Sequence, residues 1–115
     1  MMRMFFAGIC FFLSLQAAQA APKAVVIDVR TPAEFAEVHV VGARNIDFRD
    51  PGFEDQIRKL DREGHYKVYC RSGNRSGQAE KLMKSLGFKH VENIGSVKEA
   101  ARHLGQGCEG KSSSC

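Results

Sequence analysis

Apolar residues in this chain fall into short runs that alternate between two periods. Residues 24–29 form a continuous, mostly β-branched run, the pattern of a strand buried on both faces. Thr31-Pro32-Ala33-Glu34 then reads as a helix start: Thr31 caps, Pro32 suits the first helical position, and Glu34 closes a capping box. That helix is short and ends near Val38. Residues 43–48 predict a second strand. Asp50-Pro51 opens another helix, with Phe53, Ile57 and Leu60 on one face and Gly64 as its end. Residues 66–70 predict a third strand. The helix after it, 76–86, buries Ala79, Leu82, Met83 and Leu86 and stops at Gly87. Residues 88–94 predict a fourth strand. Ser96 and Glu99 make a second capping box, and Val97, Ala100, Ala101 and Leu104 give the last helix its buried face. From Gly105 onward the chain is rich in Gly and Ser, so 105–115 is expected to be a flexible tail.

Strands that alternate with helices predict a small α/β domain with a mostly parallel four-stranded sheet flanked by helices. Ligands in such folds sit beyond the carboxyl ends of the strands. Cys70 falls at such an end, and a six-residue loop, 70–75, leads from it straight into a helix. Backbone N–H groups and the positive end of the helix dipole then converge on one sulfur, which favours its thiolate. Gly73 lets the loop curl closely. Ser72, Asn74 and Ser76 act through backbone N–H groups or as caps. Arg71 either guides anions at the mouth or is a solvated surface residue. Arg75 is expected to brace the loop against a carboxylate, Asp28 or Glu34. Met83 belongs to the core stripe.

The first residues carry a different signal. Arg3 precedes an apolar run, 4–15, and Ala18-Gln19-Ala20 resembles a cleavage site. The run is shorter than the roughly 20 residues a membrane span needs, so 1–20 reads as an export signal and 21–104 as the folded domain, with no stable membrane anchor. Export implies a periplasm if the cell is Gram-negative. The formal charge is +4 with no basic stripe interleaved with aromatics, which argues against nucleic acid. An oxidising destination makes the cysteine count informative. Cys10 is expected to leave with the signal, so Cys70, Cys108 and Cys115 leave one thiol over. The simplest pairing joins the two tail cysteines and spares Cys70; the alternative is a frayed tail with free thiols. His39, His65, His90 and His103 show no metal-ligand spacing, and neither metal nor organic cofactor is expected.

Ile27-Asp28-Val29-Arg30-Thr31-Pro32-Ala33-Glu34-Phe35, followed by His39-Val40-Val41-Gly42-Ala43-Arg44-Asn45-Ile46, resembles the N-terminal signature of rhodanese domains. Cys70-Arg71-Ser72-Gly73-Asn74-Arg75-Ser76 matches their active-site loop. The likeness runs from about Val25 to Leu104 and is greatest to the single-domain, phage shock protein E type. It implies a rhodanese-like fold and a thiosulfate sulfurtransferase working through a Cys70 persulfide. Residues 71–76 would bind the anion, with Asp28, Arg30 and Glu34 as structural support. Thiosulfate would be the donor and cyanide or a thiol the acceptor, in a chain read as a monomer. Val38 stands where Gly is usual before His39, Gly95-Ser96 replaces a common Gly-Gly, and no Trp follows; these departures bear on the pocket wall and the acceptor. Two other readings share the loop. A cysteine phosphatase or arsenate reductase carries one more residue between Cys and Arg, and here Ser76 occupies the place of that Arg. A persulfide carrier or redox switch would use Cys70 without turnover, with Cys108 or Cys115 as resolving thiol.

Overall fold

The computed structural model describes residues 23–115; the export signal expected at 1–20 lies outside the described residues. Along the chain the elements are β1 (Val25–Asp28), α1 (Pro32–Glu37), β2 (His39–Val40), β3 (Arg44–Asn45) and α2 (Phe53–Arg58). They continue as β4 (His65–Cys70), α3 (Asn74–Ser85), β5 (His90–Ser96), α4 (Val97–Leu104) and β6 (Cys108–Glu109). The order β3-β1-β4-β5 makes one parallel sheet. Among the described residues, no helix is long and apolar enough to cross a membrane.

The two faces of the sheet bury two apolar clusters. Ile27, Val68 and Val91 pack under α2 and α3 with Phe53, Ile57, Ala79 and Met83. Tyr69 and Ile94 pack under α4 with Val40, Ala100 and Ala101. Strand alternation sorts the residues of β4: Tyr66, Val68 and Cys70 share the first face, and Tyr69 takes the second. The nucleophile candidate is thus delivered to the face that α3 covers.

Both capping boxes are present, at Thr31 with Glu34 and at Ser96 with Glu99. Helix α2 is shorter than expected. The chain after Asp50 makes a turn instead, in which the Asp50 carboxylate accepts the Gly52 N–H at 3.0 Å and its carbonyl accepts the Phe53 N–H at 2.9 Å. Helix α3 starts two residues early, at Asn74 rather than Ser76, because Gly73 turns left-handed (φ 90°) and sets the chain directly into the helix.

The expectation of a flexible tail at 105–115 is corrected. Strand β6 pairs antiparallel with β2, His39 against Glu109 and Val40 against Cys108. The N–H groups of Lys111 and Ser112 donate to the Ala36 and Glu37 carbonyls, at 3.1 and 2.9 Å. Those carbonyls lie at the open end of α1, where a helix lacks internal partners. Gly110 permits the approach: a Cβ there would stand 2.8 Å from the Glu37 oxygen. Cys108 and Cys115 form a disulfide, and Cys70 stays free. Gly and Ser content describes the chain's own preference; the helix carbonyls and the cross-link override it.

The bridge closes a short loop, with a sequence separation of 7. The double variant Cys108→Ala/Cys115→Ala is therefore expected to lose only about 2 kcal/mol. Urea unfolding checks this: an unchanged midpoint would show that β6 pairing alone holds the tail.

Candidate active site

Cys70 closes β4 and is fully buried. The loop beyond it folds back so that the Gly73 N–H donates to Cys70 Sγ at 3.0 Å. The Ser76 hydroxyl lies 3.3 Å from the same sulfur. Both donors belong to the entry of α3, whose N-terminal dipole adds positive potential there. Burial pushes the thiol's pKa up. The Ser76 hydroxyl and the backbone N–H groups of Ser76, Ser72 and Gly73 outweigh it, and the net shift is downward. Arg71 and Asn74 line a cleft over the loop. Asn74 accepts a bond from Gln78 at 2.7 Å, and the Ser72 hydroxyl accepts the Asn74 N–H at 3.4 Å.

Of the two carboxylates considered for Arg75, the guanidinium takes Glu34. It donates twice, Nη1 to Oε1 at 2.8 Å and Nη2 to Oε2 at 3.1 Å. Glu34 is also the capping-box residue of α1, so one side chain fixes a helix start and a loop base together. Its donation from Arg75 lowers the Glu34 pKa to about 2 against the opposing effect of burial, with Thr31 adding to the lowering.

Asp28 pairs within its own strand end. Arg30 donates through Nε at 3.0 Å and Nη2 at 2.7 Å, and both residues are buried. Asn45 then donates to the Asp28 and Arg30 carbonyls, tying β3 to the turn after β1. These bonds hold the sheet edge and do not reach the sulfur. His39 stacks on Phe35 and bonds the Phe35 carbonyl at 2.7 Å and Glu109 at 3.1 Å. It packs α1 against the tail.

A cleft of about 540 Å³ opens over the loop, lined by Phe48, Arg49, Arg71, Ser72 and Asn74 together with the Arg75–Glu34 pair. Arg75 neutralises Glu34, so Arg49 and Arg71 leave the mouth cationic. Sequence reasoning missed two contributors. Arg49 comes from the turn before α2, far along the chain from the loop, and belongs to no motif. Asn93 lies within β5, where its side chain meets both Ser76 and Gly73. Asn is a poor strand former, and one set between Val91 and Ile94 in a predicted strand was the available signal.

The chain matches the rhodanese-like domain family over residues 13–102. It is 39% identical over 75 residues to the thiosulfate sulfurtransferase PspE of Escherichia coli, covering 65% of this chain and 72% of that one. It is 34% identical over 96 residues to a thiosulfate:glutathione sulfurtransferase of Saccharomyces cerevisiae, covering 73% and 69%. Among solved structures, a rhodanese with anions from E. coli superposes with a TM-score of 0.59 at 36% identity, covering 67% of this chain and 91% of that one.

Proposed function

The chain belongs to the rhodanese-like domain family, and from that premise we propose that it is a thiosulfate sulfurtransferase whose nucleophile is Cys70. The observation that carries this reading is the set of donors converging on Cys70 Sγ, with the Gly73 N–H at 3.0 Å and the Ser76 hydroxyl at 3.3 Å. Such a nest stabilises negative charge on sulfur, first as thiolate and then as persulfide.

Two displacements follow. The Cys70 thiolate pair forms a bond to the sulfane sulfur of thiosulfate. The bond from that sulfur to the sulfonyl group breaks, and its pair leaves with sulfite. The product is a Cys70 persulfide anion, so charge is conserved. An acceptor, cyanide or a thiolate, then attacks the terminal sulfur and the Cys70 thiolate departs. The cationic mouth at Arg49 and Arg71 draws the dianion in. Because Cys70 is fully buried, the loop tip must part before donor and sulfur can touch.

The phosphatase reading loses support here, since the hydroxyl of Ser76 rather than a guanidinium faces the sulfur. The redox-switch reading loses its resolving thiol, since Cys108 and Cys115 are bonded to each other. Residues 1–20 complete the proposal as an export signal ahead of the folded domain, with delivery to a periplasm where the cell has one.

The test is a single turnover. Full chain mixed with thiosulfate and freed of small molecules should carry one extra sulfur atom on the Cys70 peptide, with one sulfite released per chain. Cyanide should then remove that sulfur as thiocyanate. Folded protein that releases no sulfite would sink the reading.

A further inference from the structure

Asn93 is the polar centre of the wall behind the sulfur. Its Oδ1 accepts the Ser76 hydroxyl at 2.8 Å and the Gly95 N–H at 3.0 Å. Its Nδ2 donates to the Gly73 carbonyl at 3.0 Å. Its own backbone N–H donates to Glu80 Oε2 at 2.6 Å, which fixes β5 against α3 at this residue. Two of the three partners of the Asn93 amide, Ser76 and Gly73, are the residues that donate to Cys70 Sγ.

We propose that Asn93 is a positioning residue for the Cys70 nucleophile: it anchors the Gly73 carbonyl and so fixes the residue whose N–H is aimed at the sulfur, and it takes the Ser76 hydroxyl proton while Cys70 is a thiol. The proposal rests on the reading of Cys70 as nucleophile and goes beyond it.

A serine hydroxyl has one proton to give. Ser76 cannot donate to Asn93 and to the sulfur at once. When Cys70 is a thiol, its S–H donates to Ser76 Oγ, and the hydroxyl proton points to Asn93. When the Cys70 proton leaves to solvent, the hydroxyl turns to the thiolate. Asn93 Oδ1 keeps the Gly95 N–H, so no buried acceptor is orphaned by the turn. The hydroxyl rotates between two fixed acceptors and the backbone stays in place. Meanwhile Nδ2 restrains the Gly73 carbonyl, and with it the orientation of the peptide next to the N–H that faces the sulfur.

Charged groups around this assembly belong to several elements. They are Arg75 with Glu34, Asp28 with Arg30, Glu80 on α3, and Glu99 on α4, whose carboxylate approaches Gly95. Asn93→Ala and Asn93→Gln leave all of them in place, so a shift in the sulfur's titration reports the amide itself.

The experiment follows thiolate absorbance of the full chain against pH, with Cys70→Ser as blank, so that no reagent has to reach the buried sulfur. Sulfite release from thiosulfate is followed over the same range. Asn93→Ala frees the Gly73 carbonyl, so the Gly73 N–H loses its aim and the Cys70 titration should move upward, leaving roughly tenfold less thiolate near neutral pH. Sulfite release should fall with it and recover at higher pH. Asn93→Gln keeps an amide but displaces it by one methylene, which protects folding; it should shift the titration in the same direction. In a Ser76→Ala background the Asn93→Ala shift should grow, because the Ser76–Asn93 bond, made with the thiol and released to the thiolate, opposes ionisation and has already gone. A merely structural Asn93 would lower the unfolding midpoint and leave both profiles where they were, and that result overturns the inference. Ordinary thiol titration or absent sulfite release in the unaltered chain would instead sink the nucleophile reading and this inference with it. A depressed titration with sulfite release in the unaltered chain, unmoved in the folded Asn93 variants, would sink this inference alone.

Discussion

Cys70→Ser is expected to lose sulfur transfer from thiosulfate by at least about a thousandfold while keeping its fold. The hydroxyl fits the space of the thiol, and the Gly73 N–H and Ser76 hydroxyl still have an acceptor in it. The loss is chemical. A serine hydroxyl stays protonated where the thiol ionises, and oxygen holds sulfane sulfur poorly. The cleft is untouched, so the variant should still bind thiosulfate without releasing sulfite. Steady-state thiocyanate formation and the single-turnover sulfite signal should vanish together. Residual activity of a few per cent in the folded variant would move the nucleophile elsewhere.

The second large effect concerns the brace beneath the loop. Glu34→Gln is expected to cost on the order of 2 kcal/mol at neutral pH, after discounting for the partial exposure of the pair. The pH dependence has a definite direction. Glu34 takes up its proton at about 2 in the folded chain against an ordinary value of 4.5. The unfolded chain therefore binds that proton first as the solution is acidified. The contribution is whole above about 4.5 and drains away as pH falls toward 2. Unfolding curves of the unaltered chain and of Glu34→Gln should accordingly run in parallel above that window and converge within it. Curves that stay parallel down to pH 2 would mean that the charge of Glu34 is not the source of the stabilisation. Turnover should suffer as well, because Arg75 anchors the loop that carries Gly73.

What could be read from the sequence was whatever is local or strictly periodic. Each capping box needs only residues three apart, so Thr31 with Glu34 and Ser96 with Glu99 were visible at once. The β-branched run at 25–28 and the strand ending at Cys70 carry their own pattern, as does the Ala79–Met83 stripe of α3. The parallel sheet follows from their alternation. Strands β2 and β6 are two residues each and have no period to detect. Their pairing depends on α1 ending with free carbonyls beside a tail long enough to reach them, which is a three-dimensional fact. The choice of Glu34 over Asp28 by Arg75 was likewise hidden, because it turns on Arg30 having already occupied Asp28. Asn93 was hidden for the same reason: its partners lie 17 and 20 residues away along the chain.

The disulfide of the tail also governs where a sulfur atom on Cys70 can go. A reduced thiol on the same chain within reach would compete at a millimolar effective concentration whatever the surroundings contained. With Cys108 and Cys115 bonded to each other, Cys70 is the one free thiol among the described residues. On the proposed mechanism, a chain loaded at Cys70 has no internal exit for its sulfur among the described residues. The lifetime of the proposed persulfide would then be set by encounters with outside molecules, shortening in proportion to how much acceptor the surroundings hold.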